Sequence, residues 1–229
     1  PLVVQELPKA CMALPIAFIE QGDAFVPAAL QGLQPGQNLF VTPDGRWLGG
    51  YTPAAYRSYP FQLATAADGQ SVLVIDEESG LLSDTEGEAF FDEAGNPAQA
   101  VKEVLDFLSQ VQNNRALTQR ICALLAEHHL IQPWPIKVKG EAGERTVEGL
   151  YRIDEAALNA LAADAFEALR QAGALPVAYC QLLSMQHVQL LGKLAEAHAN
   201  AQAQLPTTDS GELDLDFLNN NDTISFGSH

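Results

Sequence analysis

Short apolar runs cut by prolines open the chain: Leu2-Val3-Val4, then Leu14-Pro15-Ile16-Ala17-Phe18-Ile19. The second run predicts a strand, and Phe25 to Leu30 predicts its neighbour across the turn at Gln21-Gly22-Asp23. Gln34 to Gln37 reads as a turn and Leu39-Phe40-Val41 as another strand. Asp44-Gly45 then signals a hairpin, because both residues tolerate positive φ, with Arg46-Trp47-Leu48 as the returning strand. Pro53 opens a helical turn through Arg57, and Pro60 holds Tyr59 extended ahead of Phe61-Gln62-Leu63. Asp68-Gly69 makes a further hairpin turn into Ser71 to Ile75, which reads as a buried strand. A polar connector, Glu86 to Asn96, surrounds Phe90-Phe91.

The period then changes. Asn96, Pro97 and Gln99 fit the N-cap, the first helical position and the capping-box partner of a helix. Val101, Val104, Leu105, Leu108 and Val111 recur at helical spacing, Asn113-Asn114 reads as a break, and Leu117, Ile121, Leu124 and Leu125 mark a second helix ending near His128-His129. The two are expected to form an antiparallel helical hairpin. Pro133 to Lys139 and Arg145 to Arg152 predict a β-hairpin; Asp154 caps a helix bearing Leu158 and Leu161, with Phe166 and Leu169 beyond it and Gly173 as its stop. Pro176 opens a long helix with Tyr179, Leu183, Leu190 and Leu194 on one face and a bend at Gly192.

After Pro206 the chain turns polar, although Leu213, Leu215 and Phe217 alternate with Asp214 and Asp216 as in an edge strand or docking peptide. The expected fold class is α+β: an N-terminal antiparallel β unit over 1–95, helical hairpins with an inserted β-hairpin over 96–205, packed as one globular domain, and a mobile acidic C-terminal tail over 206–229. Gly227-Ser228-His229 reads as a vector remnant, and Pro1, with no Met and no basic leader, as other than the natural start.

Composition narrows the function. A formal charge of −17 weighs against nucleic acid and anionic membranes, which attract Lys and Arg. No apolar run is long enough to span a bilayer. Cys11, Cys122 and Cys180 sit far apart in apolar sequence, without disulfide or zinc spacing, and fit a reducing, cytoplasmic compartment. No cofactor is expected.

Reactive constellations are sparse. Ser184 and His187 lack a third group and a nucleophile elbow; His128-His129 and the pair His187 and His198 lack metal spacing. Asp92 to Asn96 lacks the EF-hand pattern, and no phosphate-binding glycine motif occurs. Asp76-Glu77-Glu78, with Asp84, Glu86 and Glu88 nearby, allow Mg²⁺ binding or acid–base chemistry, or are solvated loop charges. The densest feature is Leu39 to Phe61, which holds one of the two tryptophans, three of the five tyrosines and two of the twelve cations. Arg46 and Arg57 with Trp47, Tyr51, Tyr56 and Tyr59 form either an aromatic-walled pocket for a carboxylate or peptide terminus, or the mini-core of a small sheet.

Asn38 to Val41, Asp44 to Leu48, Tyr51-Thr52-Pro53-Ala54-Ala55-Tyr56-Arg57-Ser58-Tyr59-Pro60-Phe61 and Ile75 to Ser79 together resemble the bacterial SapC family. Gly149 to Glu155, Leu158 to Leu161 and Leu183 to Met185 extend the likeness, which runs from about Leu14 to Leu194. The resemblance implies an accessory role in surface-layer assembly or in export and uptake of a peptide or small molecule, with peripheral association to such a system. It supplies no catalytic residues.

The expected function is therefore non-catalytic binding of a protein or a small peptide or amino-acid-like ligand through Arg46, Trp47, Tyr51, Tyr56, Arg57 and Tyr59, bordered by Asp76 and Glu77. Replacing Arg57 and Tyr59 by Ala is expected to abolish binding and spare the fold. The alternatives are an enzyme acting on an amino acid or peptide with Asp76, Glu77 and Arg57 in one pocket, and a structural homo-oligomer paired through Leu213 to Phe217.

Overall fold

The computed structural model describes residues 1–140 and 143–203, and the architecture is α+β. A 3-10 turn (Val4–Glu6) and α1 (Leu7–Ala10) precede a hairpin of β1 (Ile16–Gln21) and β2 (Ala24–Ala29). Gly22, at φ 60°, provides the positive φ that this two-residue connection requires. The first half of β1 is an unbroken apolar run because both its faces are covered there: Ile16, Ala17 and Phe18 are each fully buried, while Glu20 and Gln21 end the strand exposed. Ile16 and Phe18 enter one core with Leu125, Leu130, Ile153 and Leu169. Ala17 enters a second, with Leu14, Leu39, Phe40 and Leu191.

α2 (Ala54–Arg57) leads through the cis Tyr59–Pro60 bond into the hairpin β3 (Phe61–Thr65) and β4 (Ser71–Ile75). α3 (Gln99–Glu127) follows as one helix of 29 residues. β5 (Ile131–Pro133), β6 (Ile136–Gly140), β7 (Gly143–Val147) and β8 (Tyr151–Ile153) come next, then α4 (Glu155–Asn159), α5 (Ala163–Gln171), α6 (Ala174–Ser184) and α7 (Val188–Ala203). Among the described residues no helix is long and apolar enough to cross a membrane.

β6 and β7 form the expected hairpin, but its flanks do something the sequence did not predict. β5 and β8 join the N-terminal hairpin as one sheet in the order β2-β1-β8-β5. β1 and β8 meet only at Phe18 and Tyr151. Beyond that point Gln181, fully buried on α6, bridges them, donating to Ile16 O at 3.1 Å and accepting from Ile153 N at 2.9 Å.

Several expectations are corrected. Leu39 to Val41 is no strand: the hairpin shrinks to a single bridge between Val41 and Trp47, and Pro43 has no N–H to extend it. Asn113-Asn114 does not break α3, because Asn114 Nδ2 bonds the Gln110 carbonyl at 2.8 Å and the helix runs on, so no helical hairpin forms. The helix begins after Ala98, not after Asn96, whose N–H is bound by Asp92 Oδ1 at 2.8 Å. The long C-terminal helix is interrupted at Met185–His187, not at Gly192, and α6 buries its small residues Ala174, Val177, Ala178 and Ser184 while Tyr179 and Leu183 face outward. β4 exists where expected, yet Val72 and Val74 are each 40% exposed. The Leu213 to Phe217 segment lies outside the described residues.

Candidate functional site

The centre of the site is a residue with no motif around it. Glu6, 6% exposed, folds its carboxylate back so that Oε2 accepts from Val3 N at 3.0 Å. Oε1 accepts from the Tyr51 hydroxyl at 2.9 Å and from Ala54 N at 2.6 Å. A buried carboxylate is tolerated only when its lone pairs are filled, and these three donors fill most of them. The same bonds fix Tyr51 and the entry to α2 against the N-terminal turn.

Arg57, in the last turn of α2, donates from Nη2 to the Tyr51 hydroxyl oxygen at 3.3 Å. Its guanidinium lies 4.8 Å from the Phe107 ring centroid and 5.8 Å from that of Tyr51. Two aromatic faces thus hold the cation while leaving most of its donors unused. Burial, then the hydrogen bond to Glu6 and its charge, push the Tyr51 phenol up to about 12, so the hydroxyl remains a donor.

Against this assembly α3 presents Phe107, Val111 and Arg115 at successive four-residue steps, one stripe of a helix. Three adjoining clefts open along it, all bordered by Val111. One of about 150 Å³ is lined by Glu6, Lys9, Tyr51, Arg57, Phe107 and Asn114, among others. A second, of about 320 Å³, includes Glu6, Ala54 and Arg115, and a third, of about 190 Å³, includes Tyr59, Phe61, Leu108 and Arg115. Among the described residues the ion pairs are Arg46–Asp44, Lys137–Glu144 and Arg170–Glu167, so Lys9, Arg57 and Arg115 border these clefts outside any of them.

Asn114 adds an unmet acceptor. The residue is 7% exposed, and its Nδ2 bond to the Gln110 carbonyl fixes which amide atom is which, since the flipped amide would set oxygen against oxygen. Its Oδ1 is buried without a hydrogen-bond partner among the described residues. An orphaned acceptor beside a cleft that also holds a carboxylate and a guanidinium is a place for a donor.

The other candidate residues disperse. Arg46 pairs with Asp44 at 2.7 Å on the surface. Trp47 stacks on Phe40 at 5.5 Å and donates from Nε1 to Tyr51 O at 3.2 Å; a Cβ at Gly49 would stand 2.7 Å from that indole nitrogen, so the glycine is required. Tyr56 packs on Trp47 at 5.7 Å and donates to Gln31 Oε1 at 2.6 Å. Tyr59 donates to Asp76 Oδ2 at 3.3 Å, and Asp76 caps the 3-10 turn that contains Glu77. The clefts bordered by Arg57 and by Tyr59 are lined without Asp76 or Glu77. The arrangement therefore joins Tyr51 and Arg57 to Glu6, Lys9, Phe107, Asn114 and Arg115, which the sequence reading did not single out.

Reactive alternatives find structural employment. Ser184 is fully buried, accepting from Ile16 N at 3.0 Å and donating to Gln181 O at 2.6 Å. His187 and His198 each place Nε2 at 3.1 Å from a backbone carbonyl, of Cys11 and Leu39, and so donate there. No cluster of three His, Cys, Asp or Glu placed for a metal occurs among the described residues.

A family model described as SapC matches residues 1–191 of the chain. No curated protein and no solved structure matches it.

Proposed function

The chain belongs to the SapC family, and on that premise we propose that it is a non-catalytic binding protein, an accessory to surface-layer assembly or to peptide and small-molecule export or uptake. Its ligand is amino-acid-like or a peptide end, carrying a carboxylate and an ammonium. The carboxylate meets Arg57, with Lys9 and Arg115 adding positive potential. The ammonium meets the remaining acceptor capacity of Glu6 and, once the side chains now covering it give way, Asn114 Oδ1. The partnerless Oδ1 of Asn114, beside the cleft that Arg57 and Glu6 share, is the observation that supports this most directly.

Arg57 suits the role chemically. Its planar fork offers two parallel donors to a carboxylate, and stacking on Phe107 holds the plane in place, so little freedom is lost on binding. The Trp47 side of the original surface acts as support, since it packs and hydrogen-bonds inward. The enzyme reading that combines Asp76, Glu77 and Arg57 draws no support from the cleft linings.

Native mass spectrometry of gently purified protein tests the proposal. A retained small molecule with carboxylate and amine groups supports it. A retained compound with neither group contradicts it.

A further inference from the structure

Neither buried apolar cluster draws a residue from the stretch 53–116. There the exposed apolar side chains concentrate instead, among them Tyr59, Val72, Val74, Leu81, Phe90 and Phe91. β3 and β4 form a sheet of two strands. Such a hairpin is marginal by itself and depends on what covers it.

The backbone shows which edge is open. Ala66 N donates to Gln70 O at 2.8 Å and Asp76 N to Pro60 O at 3.0 Å, so Val72 and Val74 turn their backbone groups to β3. Those of Ser71, Leu73 and Ile75 point away, with no partner strand among the described residues. Natural edges are blunted by Lys, Pro or bulges; Ser71-Val72-Leu73-Val74-Ile75 has none of these.

Charge names the occupant. Between Ser58 and Asn114 the chain has eleven carboxylates and one cation, Lys102. Asp68 stands in the turn before β4, and Asp76, Glu77 and Glu78 follow it directly. A second copy would bring the same acidic ends together, and the chain's own Leu213 to Phe217 segment carries Asp214 and Asp216, so like charge disfavours both.

We infer that the β4 edge is a docking surface for an extended segment of another protein, with cationic side chains interleaved with apolar ones, added as a third strand. Main-chain bonds to Leu73 and Ile75 provide affinity, Val72 and Val74 meet the apolar positions, and the flanking carboxylates select the cations. This surface is separate from the Arg57 cleft and stands whether or not the cleft binds a ligand.

The probe is a synthetic peptide of alternating Val and Lys, titrated by fluorescence anisotropy against the whole chain, with a proline-interrupted peptide of equal charge as control. The expected result is saturable binding of the alternating peptide and at least about tenfold weaker binding of the control. Leu73→Pro removes an outward donor without breaking a bond to β3, and should weaken binding by a similar factor. Glu77→Lys with Glu78→Lys, on exposed side chains, should do the same with the fold intact, and provides the test should Leu73→Pro fail to fold. Equal affinity for both peptides, or none for either, overturns the inference. So does a homodimer that Leu73→Pro dissolves, or binding that appears only once residues 206–229 are deleted.

Discussion

The Tyr51 hydroxyl donates to the buried carboxylate of Glu6 at 2.9 Å, which joins the N-terminal turn to the aromatic segment 45 residues later. Arg57 completes the chain by donating to the same hydroxyl oxygen at 3.3 Å. The cleft's charge pattern follows from these two bonds.

Glu6→Ala should therefore damage the fold as well as the site. It leaves Val3 N, Ala54 N and the Tyr51 hydroxyl without their acceptor in a buried place. The expected loss is about 3 kcal/mol, or roughly 6–12 °C in Tm for a chain of this size, measured by calorimetry.

Tyr51 should ionise near pH 12, where an ordinary tyrosine does so near 10. The raised value stabilises the folded state fully below pH 10, and that contribution is lost as pH climbs from 10 towards 12. Spectrophotometric titration of wild type minus Tyr51→Phe should isolate this late phenolate. A difference curve centred near pH 10 would show that the bond to Glu6 does not persist in solution.

Asn114→Ala separates binding from stability. The amide makes one bond, to Gln110 O, and leaves Oδ1 unpaired, so its removal should change the stability of the free protein by less than about 1 kcal/mol. Affinity for an ammonium-bearing ligand should fall by about tenfold or more, read by calorimetric titration.

Gln181→Leu should behave in the opposite way. It strands Ile153 N and leaves Ile16 O with only the longer 3.4 Å contact from Ser184 Oγ where β1 and β8 part, at about 2–4 kcal/mol in denaturant unfolding. Ligand affinity should be unchanged.

Cys122 and Cys180 should resist alkylation at pH 8 and react once the chain is unfolded. Burial pushes both thiols up to about 12, reinforced at Cys180 by the neighbouring Cys11. Rapid labelling of the native protein, followed by mass spectrometry, would contradict this.

The elements that the sequence reveals are those with local causes. The β1–β2 hairpin follows from an apolar run, a two-residue Gly turn and a second run, and Asp154 caps α4 as its position predicts. What stayed hidden depends on long-range pairing. Nothing in Tyr151-Arg152-Ile153 announces that it will lie beside Phe18, and Asn113-Asn114 looks like a stop because the Gln110 bond that keeps Asn114 helical is invisible in composition. For the site, aromatic density leads to Tyr51 and Arg57, while Phe107, Asn114 and Arg115 arrive only through the packing of α3. Glu6 did leave a trace: Glu6 and Ala10 stand four residues apart on a buried face, and a carboxylate at such a position signals a held charge.

The most direct test of the binding proposal is calorimetric titration with free amino acids and dipeptides, each as the C-terminal carboxylate and as the carboxamide. The wild-type protein should bind at least one carboxylate, and its amide about tenfold or more weakly. Arg57→Ala, with unchanged Tm, should lose a similar factor, and Arg57→Lys should recover part of it. Equal affinity for acid and amide, or unaltered binding by Arg57→Ala, would contradict the assignment of this cleft, as would the failure of every compound to bind at about 10 mM.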